Sequence, residues 1–226
     1  ADATQSSRLG KAVQQLRSSA HDAALTGIYT LADPREAFAA RALLARAADQ
    51  TLDVQYYIWR GDKTGKLLLR ELLLAADRGV RVRLLLDDGG TSGLDAELAA
   101  LDSHPQIEVR LFNPFVLRTG KYLGYVTDFG RTNRRMHNKS FTADNQATII
   151  GGRNVGNEYF GATDGVLFSD LDVLAIGPAV PEVSSDFDRY WNSASAYPIA
   201  LLVRPDADTT PDALRQQYQV LAEPQK

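Results

Sequence analysis

Cysteine is absent from the 226 residues, which excludes a disulfide framework, a thiolate nucleophile and a cysteine-bound zinc. Histidine is nearly as scarce. His21, His104 and His137 are the three present, too few and too scattered to suggest a multi-histidine metal centre. Long apolar runs are missing as well. Ala196–Val203 is one of the longest uncharged apolar stretches, far short of the roughly 18 residues a membrane-spanning helix requires. The chain is therefore not expected to cross a bilayer, although lying on one stays open. An initiator Met is lacking too, so the start Ala1-Asp2-Ala3 reads as processed or excised, with any export signal already gone.

What is present suits a folded protein. Hydrophobic residues make up 44% and charged residues 23%, values that exclude wholesale disorder. The length fits one compact domain of about 150–200 residues plus peripheral segments. A net charge of −3 conceals an asymmetry. From Arg118 to Arg153 there are seven basic residues (Arg118, Lys121, Arg131, Arg134, Arg135, Lys139, Arg153) against Asp128 and Asp144, a local +5 that leaves −8 elsewhere. A basic island in an acidic chain points to a small anionic ligand, or else to a solvated turn.

Residues 1–27 read as a polar lead-in without a strong apolar stripe. Pro34 opens a predicted helix carrying Phe38, Leu43, Leu44 and Ala47, followed by a β-rich run from Leu52 to Trp59. A helix over 65–78 stops at Gly79, and Val80–Leu86 ends in a continuous apolar run, the mark of a strand covered on both faces. A helix at 94–101 and a strand at 107–112 complete two crossovers. The fold class is therefore α/β, a mixed, mostly parallel sheet flanked by helices on both faces. Two short strands, 137–143 and 147–152, enclose Asp144-Asn145 as a hairpin, and 169–176 reads as a further strand. Residues 180–191 form an amphipathic helix; 198–226, despite a weak helix at 211–222, read as a connector.

The chemistry lies on the hairpin. His137 and Lys139 are two apart and share a strand face. If Asp144-Asn145 is a two-residue turn, His137 pairs with Gly152, and Asn154 joins the same face; a three-residue turn would flip that parity. An imidazole, an ammonium and a carboxamide together suit a phosphate, with nucleophilic attack or proton transfer from His137 and charge neutralisation by Lys139. Taken singly, each has a plainer role: an exposed strand histidine, a surface lysine, a glycine pair in a tight bend. Asp87-Asp88-Gly89-Gly90, at the end of a strand, suits a metal-dependent phosphatase in principle, but capping and turning account for it more simply. Tyr56, Tyr57 and Trp59 could flank a lipid or base, but half of any strand is core, so they are expected there; 115–129, with Tyr122, Leu123, Tyr125 and Val126 beside basic residues, reads as a membrane-touching flap or a packed loop.

His137-Asn138-Lys139, then Asp144, then Gly151-Gly152-Arg153-Asn154 resembles the H-x-K-x4-D-x6-G-G/S-x-N signature of the phospholipase D superfamily. Tyr56–Trp59, Leu111–Phe115, Asp170–Val173 and Phe187–Trp191 are similar to its bacterial cardiolipin synthase C-like branch, so the likeness covers most of 28–197, as one catalytic half-domain. The resemblance implies that two such motifs meet across a pseudo-twofold axis. One histidine attacks the phosphodiester to give a phosphohistidine, while the other protonates the leaving alcohol and then activates the acceptor. By matching positions, His137 is nucleophile or acid–base, Lys139 and Asn154 bind phosphate, and Asp144 is a structural carboxylate. Gly152 and Arg153 are expected beside the substrate. Asp170 is expected to orient the histidine, with Asp172 as the same-face alternative. The mechanism requires no metal or other cofactor.

The chain departs from two-motif members in one respect. His21 is followed by Asp22-Ala23 and His104 by Pro105-Gln106, so neither opens a second H-x-K. The expected partner is a second motif-bearing half or a second copy of this chain. The resemblance implies phosphatidyl transfer between glycerophospholipids, making cardiolipin, at the bacterial envelope with peripheral membrane contact. A single-motif homodimeric nuclease is the alternative within the superfamily, although nucleic acid is not the expected partner; a non-catalytic binding half is the alternative of another class.

Overall fold

The computed structural model describes residues 2–18, 24–115, 135–165, 168 and 170–223. Within them the order is α1 (Arg8–Ser18), β1 (Gly27–Leu31), α2 (Pro34–Ala47), β2 (Thr51–Tyr56), α3 (Lys63–Asp77), β3 (Arg81–Asp87), α4 (Asp95–Asp102) and β4 (Ile107–Phe112). Then follow β5 (Ser140–Ala143), β6 (Ala147–Gly151), β7 (Asp172–Ile176), α5 (Ala179–Trp191), β8 (Ala196–Pro198) and α6 (Pro211–Ala222). Local chemistry sets the helix ends. Pro34 occupies the first turn of α2, where its missing N–H has no helical partner to lose, and Asp33 accepts from the N–H groups of Arg35 and Glu36 at 2.8 and 3.0 Å. Asp62 caps α3 through Gly65 N–H at 3.0 Å, and beyond Arg78 the chain turns at Gly79, whose φ of +92° favours glycine.

The strands form one sheet in the order β1-β7-β6-β5-β2-β3-β4-β8. β2, β3 and β4 are parallel, joined through α3 and α4; the other joins are antiparallel. The sheet is mixed and covered on both faces as expected, but its parallel part is confined to those three strands, because the hairpin and β7, β1 and β8 extend it antiparallel. On β3, Leu84 and Leu86 enter the main core with Leu44 of α2, Leu72 of α3, Leu98 of α4 and Leu214 of α6. Leu85 points the other way, onto Phe187 and Trp191 of α5. That alternation is why the run is apolar throughout.

Two peripheral expectations are corrected. The lead-in holds a helix, α1, which buries Val13, and runs directly into β1, the edge strand paired with β7. The supposed connector packs as core, since Ile199, Leu214 and Tyr218 are buried in the main cluster. Leu214, Tyr218 and Leu221 fall on one side of α6 at helical spacing, so that face covers α3 and α4.

Candidate active site

The antiparallel joins β2–β5, β5–β6 and β6–β7 bring one end of four strands together. The C-terminal ends of β2 and β6 meet the N-terminal ends of β5 and β7. Tyr57 and Ile58, His137 and Lys139, Gly152 and Asn154, and Asp170 all lie at that end.

The hairpin differs from the two-residue turn considered above. Asp144 and Asn145 have φ of +51° and +49°, and Gln146 N–H donates to Ala143 O at 3.0 Å, yet Gln146 stays outside the ladder. Ala143 therefore opposes Ala147, and Ser140 opposes Ile150. The loop has three residues, the ladder parity is flipped, and His137 and Lys139 precede β5 rather than belong to it. The cause is Asp144. Its buried carboxylate accepts from the N–H groups of Asp49, Gln50 and Thr51 at 3.0, 2.8 and 2.9 Å, tying the turn to the start of β2.

Asn154 reaches the site by another route. Beyond β6, Val155 bridges Trp59 in parallel, with Val155 N–H donating to Ile58 O at 3.0 Å and Arg60 N–H to Val155 O at 2.9 Å. Ile58 N–H donates to Asn154 Oδ1 at 3.0 Å. A backbone donor fixes which way the amide lies, so the Nδ2 group is turned away from this strand and available to a ligand. Tyr57, expected in the core like its neighbours, is not there. Tyr56 and Trp59 are fully buried, whereas the Tyr57 ring stacks on the His137 imidazole with centroids 4.0 Å apart and planes 27° apart. Lys139 Nζ lies 5.7 Å from the centre of the same ring and donates to His137 O at 2.7 Å. The end of β2 thus touches all three expected phosphate-handling residues. Strand parity alone carried that signal, since Tyr56 and Tyr57 must point to opposite faces.

The carboxylates divide by depth. Asp172 is buried and accepts from Arg41 Nη2 at 2.8 Å and from Arg153 Nη1 at 3.4 Å, while Arg153 N–H donates to its other oxygen at 3.2 Å. The alternative role of Asp172 as the histidine's partner is corrected by that burial. Arg153 is corrected likewise as a substrate contact: its guanidinium is buried and donates to Leu31 O and Ala32 O at 2.7 and 2.6 Å. Asp170 lies over Gly152, where a Cβ would stand 2.7 Å from its Oδ1; at Gly151 a Cβ would stand 2.2 Å from Asp172 Oδ1. The glycine pair lets both carboxylates close on the backbone, so Gly152 faces Asp170 rather than the imidazole. Asp170 forms no hydrogen bond to His137, whose ring has no hydrogen-bond partner among the described residues. Its charge acts on Lys139. Partial burial holds the Lys139 ammonium below the ordinary lysine range, against the opposing pull of Asp170 and Asp172.

Residues just before the motif are tied to the end of β3. Asp87 accepts from Gly89 N–H, Arg135 Nη1 and Met136 N–H at 2.9, 3.1 and 2.9 Å, and Asp88 accepts from Phe115 N–H at 2.8 Å. Burial pushes the Asp87 carboxyl up, and those donors pull it back. The acidic pair is thus bound to backbone amides. Beside the motif, Asn138 Nδ2 donates to Asp186 Oδ2 of α5 at 3.0 Å. A cleft of about 350 Å³ opens there, lined by Gln55, Lys139, Ser140, Ile150, Glu182 and Asp186. Of the basic island, Arg118, Lys121, Arg131 and Arg134 lie outside the described residues, as do His21 and nearly all of 115–129. His104 sits far off, its Nε2 3.3 Å from Asp77.

A family model described as cardiolipin synthase, phospholipase D-like domain, matches residues 41–191. The chain belongs to the phospholipase D superfamily, in its cardiolipin synthase branch. It is 61% identical over 173 residues to cardiolipin synthase C of Escherichia coli K12, covering 76% of this chain and 37% of that protein. The chain thus spans little more than a third of that relative's length. Among solved structures, phosphatidylserine synthase of Haemophilus influenzae superposes with a TM-score of 0.59 at 15% identity, over 95% of this chain and 47% of that one. NucT of Helicobacter pylori does so with a TM-score of 0.57 at 14% identity, over 77% of this chain and 98% of that one. Both likenesses concern the fold.

Proposed function

We propose that this chain supplies half of a phosphodiester-transfer site acting on glycerophospholipids, and that the complete protein makes cardiolipin. The observation that carries this is the gathering of His137, Lys139 and Asn154 around Tyr57-Ile58, with one histidine at this site among the described residues. In the step proposed, an imidazole nitrogen attacks phosphorus, a nitrogen–phosphorus bond forms, and the bond to the leaving alcohol oxygen breaks. Lys139 and the Asn154 amide stabilise the nonbridging oxygens, and Asp144 holds the hairpin that carries the motif. A second histidine, from another motif-bearing half or another copy, gives the leaving oxygen its proton. That second histidine, now neutral, takes the proton of the second lipid's hydroxyl as its oxygen attacks phosphorus; an oxygen–phosphorus bond forms, the nitrogen–phosphorus bond of the phosphohistidine breaks, and the imidazole is regenerated.

The identity to a protein named cardiolipin synthase C supports a lipid substrate and peripheral contact with a bacterial membrane. Charge supports it too: of the basic island, the described Arg135 and Arg153 are spent internally, whereas a long polyanion needs an extended track. Among the described residues no helix is long and apolar enough to cross a membrane. The test supplies the complete protein with phosphatidylglycerol, with and without phosphatidylethanolamine, and separately with single-stranded and duplex DNA. Cardiolipin formation is expected. DNA cleavage without lipid product would turn the reading to a nuclease.

A further inference from the structure

We propose that Tyr57 is the positioning residue for His137: its stacked ring sets the plane of the imidazole and so the direction from which the reacting nitrogen meets phosphorus. This rests on the reading of His137 given above. The backbone around His137 is held from three sides. Asp87 accepts from Met136 N–H, Asn138 is bonded to Asp186 of α5, and Lys139 Nζ donates to His137 O. The imidazole itself is exposed and, among the described residues, has no hydrogen-bond partner. What it has is Tyr57, at 4.0 Å and 27°, an offset-stacking geometry.

Tyr57 is itself well fixed. Tyr56, the residue before it, is buried edge-on against Trp59 with centroids 5.5 Å apart and bonded to Arg41 Nε through its hydroxyl at 2.8 Å. Ile58, the residue after it, is bonded to Asn154. One strand end therefore sets the imidazole plane and anchors the amide that would bind phosphate. Since it is the ring that stacks, phenylalanine should replace tyrosine, and an aliphatic residue should not.

The experiment uses the complete protein as wild type, Tyr57→Phe and Tyr57→Leu, with His137→Ala to assign the His137 ring protons by NMR. A face-on ring displaces those protons upfield. We expect that displacement in the wild type and in Tyr57→Phe, and its loss in Tyr57→Leu. In lipid turnover, Tyr57→Leu should lower kcat roughly tenfold to a hundredfold with a smaller change in KM, and Tyr57→Phe should restore most of it. Wild-type kcat in Tyr57→Leu, equal damage from Phe and Leu, or undisplaced His137 protons in the wild type would each overturn the proposal. Should Tyr57→Leu not fold, the wild-type and Tyr57→Phe spectra still decide it. Lack of lipid turnover with the displacement intact would fault the proposed function and leave the stack standing.

Discussion

Lys139 is poised between two opposing influences, and that makes its titration a useful reporter. Burial disfavours the ammonium, while Asp170 and Asp172 favour it. A lowered folded-state value means that the proton leaves at lower pH than from an ordinary lysine. If the ammonium stabilises the phosphorane-like transition state, activity should fail on an alkaline limb below the usual lysine range. Removing the Asp170 charge takes away support for the ammonium, so Asp170→Asn should move that limb to still lower pH; Lys139→Arg should move it up, because a guanidinium stays charged. The pH dependence of kcat in the complete protein checks both, and a limb indifferent to Asp170→Asn would break the coupling. His137→Ala should abolish turnover outright. Lys139→Ala should cost about a hundredfold or more in rate, read from kcat/KM.

At the level of single elements, the hairpin and α6 carry the clearest energetics. Asp144 serves three backbone donors at the start of β2. Asp144→Ala would leave them without their acceptor at a cost on the order of 3 kcal/mol, visible as a lower urea midpoint. The hairpin was legible as a hairpin from Asp144-Asn145, but its register was not. One residue outside the strand ladder, Gln146, sets the parity, beside an Asp144 whose carboxylate is bonded to the start of β2. α6 was legible as a helix, but the Pro, Asp and Thr of the segment leading to it made the whole stretch read as a connector, and the packing of Leu214 and Tyr218 into the core was not legible. Tyr218→Ala should destabilise the fold by about 3–5 kcal/mol, measured by thermal or chemical unfolding. A surface connector would show almost no change.

For the molecule as a whole, a buried network joins segments far apart in the chain. Arg41 of α2 and Arg153 after β6 converge on Asp172 of β7, fastening α2 beneath the site. Asp172→Ala would strand two buried guanidiniums, a loss of about 3–5 kcal/mol, and should lower stability more than any change at the exposed His137. A second expectation concerns completeness. With one H-x-K motif, this chain alone should show little phosphodiesterase activity as a monomer; full activity in a strictly monomeric sample across a dilution series would sink the half-site reading.

The sequence alone determined which residues make up the motif and most of the helices and strands flanking it. Residue type and spacing express both directly: caps, apolar periods and the H-x-K pattern act over a few positions. Only the tertiary structure decided which carboxylate stays near Lys139 and which is buried, because Asp170 and Asp172 differ by two residues in sequence and by an arginine pair in space. It also decided Tyr57. Sequence places it between two core aromatics, and only the meeting of the β2 end with the start of β5 turns its ring onto His137, since contacts between strands 80 residues apart depend on the sheet order that burial imposes.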